Sequence, residues 1–511
     1  MTPTIVNRRK QINFWAVANN FVAAHFLFLA SYLLSPALHS AAAQDPPTVP
    51  VQDLDKAATE NVPDKATDST TPDVPTSADE KTQALLTKAS EAFQAGDLAT
   101  CEAVLLEAKM ADAGLEAPVV IVARMFLASG RAGDAIARLD GYLTKNDDPD
   151  AYLRLGEIAL SSGRLTDAFL LLERTRVLAT NQKWSDQRRK NFNRELTRLR
   201  GATAQNRDRL DDAIKIYSDH LKADPDLYAA QWELGKVEAV KGDIDAGLAR
   251  MKSAFEKDAT LMQPELALAM IYSSRREDAE AEKWFQASVR EKSAKLVCSV
   301  EYVKWLLMRD RAGDAVALMD KVPEADRETR DVKFVRGLSA RFLNDLDAAE
   351  TIFSALHQTN GDDVESADQL ALVLIERADE GKRARAQQIA EANLRRAPNA
   401  ETALATAGWV HFRLGSTDIA DRLLTQAASN RRITPQTAYY IAKMFDDRGR
   451  DEDSLKLYEM TVKEPGIFVQ RRDVEKLLKD KKLHLLCLWS PDLADSTTIK
   501  SVEIFRFGLL G

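Results

Sequence analysis

Cysteine, histidine and aromatic side chains are all scarce in this chain of 511 residues. The three cysteines, Cys101, Cys298 and Cys487, are scattered and odd in number, which excludes a fully paired disulfide framework. No CxxC spacing points to zinc. Only His220, His357, His411 and His484 lie beyond residue 43, and no HExxH, Walker-type loop, GxSxG or GxGxxG motif occurs. The usual signatures of metal-assisted hydrolysis, nucleotide binding and acyl transfer are therefore missing. Acids are plentiful but read as solvated helix faces, with no pair singled out by pattern. Neither enzymatic activity nor a metal or other cofactor is expected. The formal charge of -8 argues against nucleic acid or an anionic membrane as partner, since either needs a basic patch to displace counterions.

Long apolar runs are equally rare. The N-terminal stretch Phe21 to Leu34 is shorter than the roughly 20 residues that a membrane span requires. It follows the positive cluster Arg8-Arg9-Lys10 and precedes Ala41-Ala42-Ala43, a small-residue cleavage context before Gln44. Residues 1–43 thus read as a secretory signal peptide, and the chain is expected to be exported to a bacterial periplasm or cell envelope. An uncleaved anchor starting near Phe14 would instead tether it to a membrane. No cysteine follows the signal, which argues against a lipoprotein anchor. Residues 44–81 hold six prolines, many Asp and Thr and no aromatic residue. Such a segment buries too little apolar surface to offset its ordering entropy, and a disordered acidic linker is expected.

What the chain does have is a 34-residue step. Windows opened at 82, 116, 149, 194, 228, 262, 296, 330, 364, 401 and 435 place a tiny residue eighth: Ala89, Ala123, Gly156, Gly201, Gly235, Ala269, Gly337, Ala371, Gly408 and Ala442, with Val303 the exception. The twentieth place is again small (Cys101, Ala135, Ala168, Ala213, Gly247), and the twenty-fourth is large (Leu105, Leu139, Leu172, Tyr217, Met251, Phe285, Phe353, Leu424). Within the window at Glu401, Leu404, Ala407, Gly408 and His411 share one helix face at spacings of three and four, and Gly415 ends that helix. Ala420, Leu424 and Ala427 line the facing helix, so glycine opposite alanine lets the two backbones approach closely. Cys101, in a small-residue slot, reads as a buried thiol.

This pattern resembles the tetratricopeptide repeat over about residues 82–468, with the window at Pro149 among the closest matches. The resemblance implies an all-α solenoid of about eleven helical hairpins wound as a right-handed superhelix. Three departures stand out. Lys88, Arg200 and Arg336 occupy the usually apolar seventh place, which predicts loose packing in those repeats. The family's closing proline is missing from most repeats. The ninth repeat fits only with three residues inserted before Ala386.

About eleven extra residues, Lys183 to Asn193, separate the third and fourth repeats. Ser185 or Asp186 could cap a first helix lengthened to Asn206. Trp184, Arg188 and Arg189 could form a projecting contact site there, or the segment could be a longer helix with a solvated face. Val469 to Lys482 reads as a capping helix for the array, and residues 483–511 as an irregular tail or short hairpin.

The resemblance also implies a concave groove lined by the second, fifth, ninth, twelfth and thirteenth places of each first helix. Those places include Arg124, Leu153, Trp232, Lys236, Lys304, Phe334, Arg341, Trp409, Phe412, Arg413, Tyr439 and Lys443. Aromatic anchors beside cations suit a protein or peptide segment, although the same rings could pack between repeats. The Lys/Asn pairing with which the family clamps a terminal carboxylate is absent from the fifth and ninth places, so a chaperone-tail adaptor is not expected. The function expected is a non-catalytic interaction scaffold. The alternative is a structural or assembly subunit of an envelope, secretion or polysaccharide-export complex, and self-association stays open.

Overall fold

Alternating tiny and bulky positions allow one helix to nest against the next, and the chain repeats that nesting throughout. The computed structural model describes residues 77–290, 295–429 and 433–489, and it divides into two units, the first ending at Trp284 and the second starting at Phe285. The expected signal peptide, all but the last residues of the expected linker, and residues 490–511 lie outside the described residues.

The first unit contains the hairpins α1 (Ser77–Gln94) and α2 (Leu98–Ala111), α3 (Pro118–Ala128) and α4 (Ala132–Leu143), α5 (Pro149–Ser161) and α6 (Leu165–Ala179), α7 (Asp186–Asn206) and α8 (Leu210–Ala223), and α9 (Tyr228–Lys241) and α10 (Ile244–Lys257). Next come α11 (Pro264–Ser274) and α12 (Asp278–Arg290), and the unit boundary falls inside α12. The second unit contains α13 (Leu296–Met308) and α14 (Ala312–Met319), the single turn α15 (Glu324–Arg327), α16 (Arg330–Phe342) and α17 (Leu346–Thr359), and α18 (Val364–Ile375) and α19 (Glu380–Arg396). It closes with α20 (Glu401–Arg413) and α21 (Thr417–Ala428), α22 (Pro435–Asp447) and α23 (Asp451–Lys463), and α24 (Arg471–Trp489). No strand occurs among the described residues.

The eighth place is where each hairpin is tightest. A Cβ added to Gly408 would lie 2.8 Å from Leu424 Cγ, and one added to Gly337 would lie 2.6 Å from Phe353 Cζ. At Gly235 the obstacle is backbone, with the Gly247 carbonyl oxygen 2.7 Å away. Ala89, Ala123, Ala269, Ala371 and Ala442 are wholly buried at the same place. The loosening expected from the seventh-place cations does not occur. Lys88 turns to solvent, Arg200 pairs with Glu173, and Arg336 donates to the Met319 carbonyl, while the adjoining eighth-place residues stay buried.

The fifteenth place shows a second rule. It is left-handed in ten of the eleven windows: Gly96, Gly130, Gly163, Gly242, Gly415 and Gly449 at six, and Asp208, Arg276, Asp310 and Asn344 at the rest. One residue there ends the first helix and aims the chain into the second. The exception is the ninth repeat, where α19 extends to 17 residues and absorbs the expected insertion, burying Ala386 and Ala390.

First helices form the inner layer and second helices the outer one. α18 buries nine residues against four in the longer α19, and α20 buries nine against three in α21. Cys101 and Cys298 are both buried, and neither forms a disulfide among the described residues.

Two boundaries differ from expectation. α1 starts at Ser77, inside the segment assigned to the linker, and α24 continues past Lys482 to Trp489. The run Leu483 to Trp489 is therefore helical rather than irregular, and the first helix breaker it meets is Pro491.

Gly235→Ala should destabilise the first unit by about 1–3 kcal/mol, because backbone cannot yield as a side chain does. Gly408→Ala meets only the movable Leu424 and should cost less. Urea midpoints of the two variants check the order, and an equal effect would mean that the two contacts are equally compliant.

Candidate functional site

In the first unit, the residues expected to line a groove are engaged with their own fold. Arg124 pairs with Glu116 at 2.9 Å. Leu153 is wholly buried, and Trp232, 3% exposed, donates from its indole N–H to the Met262 carbonyl at 2.9 Å. Lys236 is buried, with its ammonium 2.5 Å from Glu233 and 5.6 Å from the Trp232 ring centre. Around them runs an ion-pair lattice. Arg154 reaches Glu157 and Glu195, each at 2.6 Å. Asp150, held up at about 6 chiefly by burial and then by nearby Glu116, meets Arg188 at 2.7 Å, which acts in the opposite direction.

The insertion is a longer helix, not a projection. Ser185 caps α7 by accepting from the Arg188 N–H, and α7 runs to Asn206. Arg188 turns back into the array, donating to the Gly114 and Leu115 carbonyls as well as to Asp150. Its guanidinium lies 4.8 Å from the Trp184 ring, which packs on Phe192 at 4.6 Å. Arg189 donates to the Gln182 carbonyl at 2.7 Å. These three residues hold α7 to earlier turns while each stays partly exposed.

The second unit gathers its residues differently. Phe334 is 3% exposed and meets Phe353 edge-on at 5.7 Å, while Lys304 stays beside Glu301 at 3.0 Å. Trp409, also 3% exposed, stacks on Tyr440 at 4.5 Å and contacts Phe412 and Tyr439 at 5.6 and 5.8 Å. Arg413 lies over the same indole and bonds Glu376 at 2.6 Å. Trp232, Phe334 and Trp409 therefore belong to the wall between repeats rather than to its open surface. Lys443 is half-buried, and no ion pair or hydrogen bond joins it among the described residues.

Arg341 is the unusual member. It is 7% exposed, its single hydrogen-bond partner among the described residues is the neutral Gln369 side chain, and burial pushes its guanidinium below the ordinary value. Glu376, the acid that acts on it electrostatically, is already paired with Arg413. Tyr440 is 1% exposed, and its hydroxyl has no partner. Asp368 is buried too, with Asn393 donating to one carboxylate oxygen at 2.9 Å and the Thr402 and Thr406 side chains acting on the carboxyl in the same sense. A buried donor or acceptor left alone costs about 1–3 kcal/mol. Asp368, Glu376 and Tyr440 are not among the residues expected from the sequence, yet Asp368 and Glu376 occupy the fifth and thirteenth places of their window. Position alone was their signal, since the expectation of a groove rested on cations and rings. The second unit also draws its ends together, as Arg472 of α24 bonds the carboxylate and carbonyl of Asp310 in the turn after α13.

Among the described residues no group of three or more His, Cys, Asp and Glu side chains is placed to hold a metal, and no helix is long and apolar enough to cross a membrane.

Burial raises the Asp368 carboxyl to about 7 against the opposing Asn393 bond. A carboxyl raised in the folded state favours folding when protonated, so its contribution is complete below about pH 4 and is lost as pH climbs through 7. Asp368→Asn should remove that loss and raise the urea midpoint at pH 8 relative to pH 4.5. An equal difference from wild type at both pH values would count against it.

Residues 123–182 match the family described as tetratricopeptide repeat. No curated protein sequence matches the chain. Yeast Tom70 is similar at 14% identity, over 83% of this chain and 99% of that one, with a TM-score of 0.35. PilW, a type IV pilus biogenesis factor, is similar at 17% identity, over 40% and 93%, with a TM-score of 0.31. A thermophilic TPR protein of Thermus thermophilus is similar at 16% identity, over 36% and 97%, also at 0.31. The matched residues carry the tetratricopeptide repeat, and the 34-residue step, the tiny eighth place and the nested hairpins continue on both sides of them.

Proposed function

We propose that the chain is a protein-interaction scaffold whose second unit receives a partner segment on its inner helices. Tetratricopeptide repeats are in general non-catalytic binding scaffolds, and the residues above suit that role. The observation that carries the reading is Arg341, a buried cation with an amide for its only hydrogen-bond partner among the described residues. An unpaired buried charge destabilises a fold, and a carboxylate from an incoming segment would relieve it. The Tyr440 hydroxyl, also unpartnered, would serve the same acceptor. Lys443 and Arg413, on neighbouring inner helices, would orient an acidic segment.

The basic start, apolar stretch and Ala-rich context at the N-terminus support export, with the periplasm or cell envelope as the place of action. The acidic stretch 44–76 would then act as the spacer between membrane and scaffold.

Arg341→Met distinguishes a binding role from a structural one. Replacing an uncompensated buried charge with an apolar chain should leave stability unchanged or raise it by about 1–4 kcal/mol. In-cell crosslinking followed by identification of the captured protein should show the partner lost in that variant. Undiminished capture would remove Arg341 from the interface, and a large loss of stability would make it a structural residue.

A further inference from the structure

The geometry points to a second binding site, on the outer side of the first unit, for an acidic protein segment bearing one large apolar anchor. A cleft of about 520 Å³ opens between the outer helices α6 and α8, with α7 beneath it. That volume lies within the usual range for ligand pockets and would admit one or two large side chains. Its apolar floor includes Phe169, Leu196 and Ile216, and Leu196 comes from the lengthened α7.

The rim is basic in an acidic chain, with five cationic side chains against three carboxylates. Most of these charges are already spoken for within the fold: Arg176 and Arg200 share Glu173, and Lys215 meets Asp219. Arg207 and Arg209 have no carboxylate partner among the described residues. The Arg207 guanidinium lies 4.2 Å from the centre of the Phe169 ring, which leaves its N–H edge available to an incoming carboxylate. His220 closes one side, with its Nε2 3.9 Å from the Asp224 carboxylate.

A segment of a partner protein fits better than a small amphiphile. On α6, each one residue along from the cleft-lining Phe169 and Arg176, Leu170 is 59% and Val177 47% exposed. An amphipathic segment would place its anchor in the cleft, lay further apolar residues on Leu170 and Val177, and set its acids against Arg207 and Arg209. The cleft shares no residue with the inner helices of the second unit.

The test pans a random twelve-residue peptide phage library on the immobilised full chain, then measures the enriched peptides by fluorescence polarisation. Expected are peptides of net negative charge carrying Leu, Phe or Trp, bound more weakly as salt increases. Arg207→Glu with Arg209→Glu should weaken them by roughly tenfold or more, Arg207→Gln with Arg209→Gln by less, and Arg341→Met not at all. Circular dichroism checks that each variant folds, and the Gln pair serves if the Glu pair does not. No enrichment, enrichment of neutral or basic peptides, or full affinity in the Gln pair would overturn the proposal. So would laurate occupying the cleft where no peptide does.

Discussion

The whole molecule depends on one contact, that between the eighth residue of an inner helix and the bulky twenty-fourth residue of the outer helix beside it. At Gly156, Gly201, Gly337 and Gly408, there is no room for even a methyl group unless Leu172, Tyr217, Phe353 or Leu424 shifts. Each large side chain thereby fills the space its small partner leaves, and the hairpin closes at one height only. Once that height is set, the left-handed fifteenth place fixes how the chain reverses, and the next hairpin can only stack. Repetition then does the rest, since each hairpin needs contact with its neighbours alone.

The same contact governs what the inner surface can present. Because inner helices are clasped between outer helices and their own neighbours, a ring at the fifth or ninth place is drawn into the seam. Trp232, Phe334 and Trp409 all end this way, with area spent on cohesion rather than recognition. What stays accessible is mainly polar, hydroxyls, carboxylates and guanidinium groups, beside the half-buried rings of Phe412 and Tyr439. If the proposed partner binds there, charge and hydrogen bonding would carry recognition and would discriminate against a partner lacking the complementary group.

How much of this was legible beforehand depended on whether a feature is local. The step, the tiny-bulky alternation and the cap at Ser185 are decided within one hairpin, and the sequence carries them openly. The start of α7 and its end at Asn206 follow from a serine cap and an unbroken polar helix. The fate of Arg188 does not, because its acceptors at Gly114, Leu115 and Asp150 lie 38 to 74 residues away. Nothing in its own neighbourhood distinguishes a cation that locks the array from one that projects. The same holds for Arg341, whose singularity consists in the absence of a nearby free acid. The extension of α24 was obscured by an apolar run that strand and helix can share, where period alone does not decide.

The two units treat buried charge in opposite ways, and the difference bears on their roles. In the first, Arg154 and Arg188 find carboxylates at 2.6 and 2.7 Å, and that network knits inner helices that have few rings to stack. Removing one member would strand another, which makes the network a structural device. In the second, the ring cluster of Trp409, Tyr439, Tyr440 and Phe468 already supplies cohesion, so Arg341 is not needed to hold helices together. Groups that weaken the free protein without knitting its helices are better explained by what they do when a partner arrives. On the proposed reading, the first unit would keep its inner face for itself and offer an outer cleft, while the second would keep its inner face for a partner.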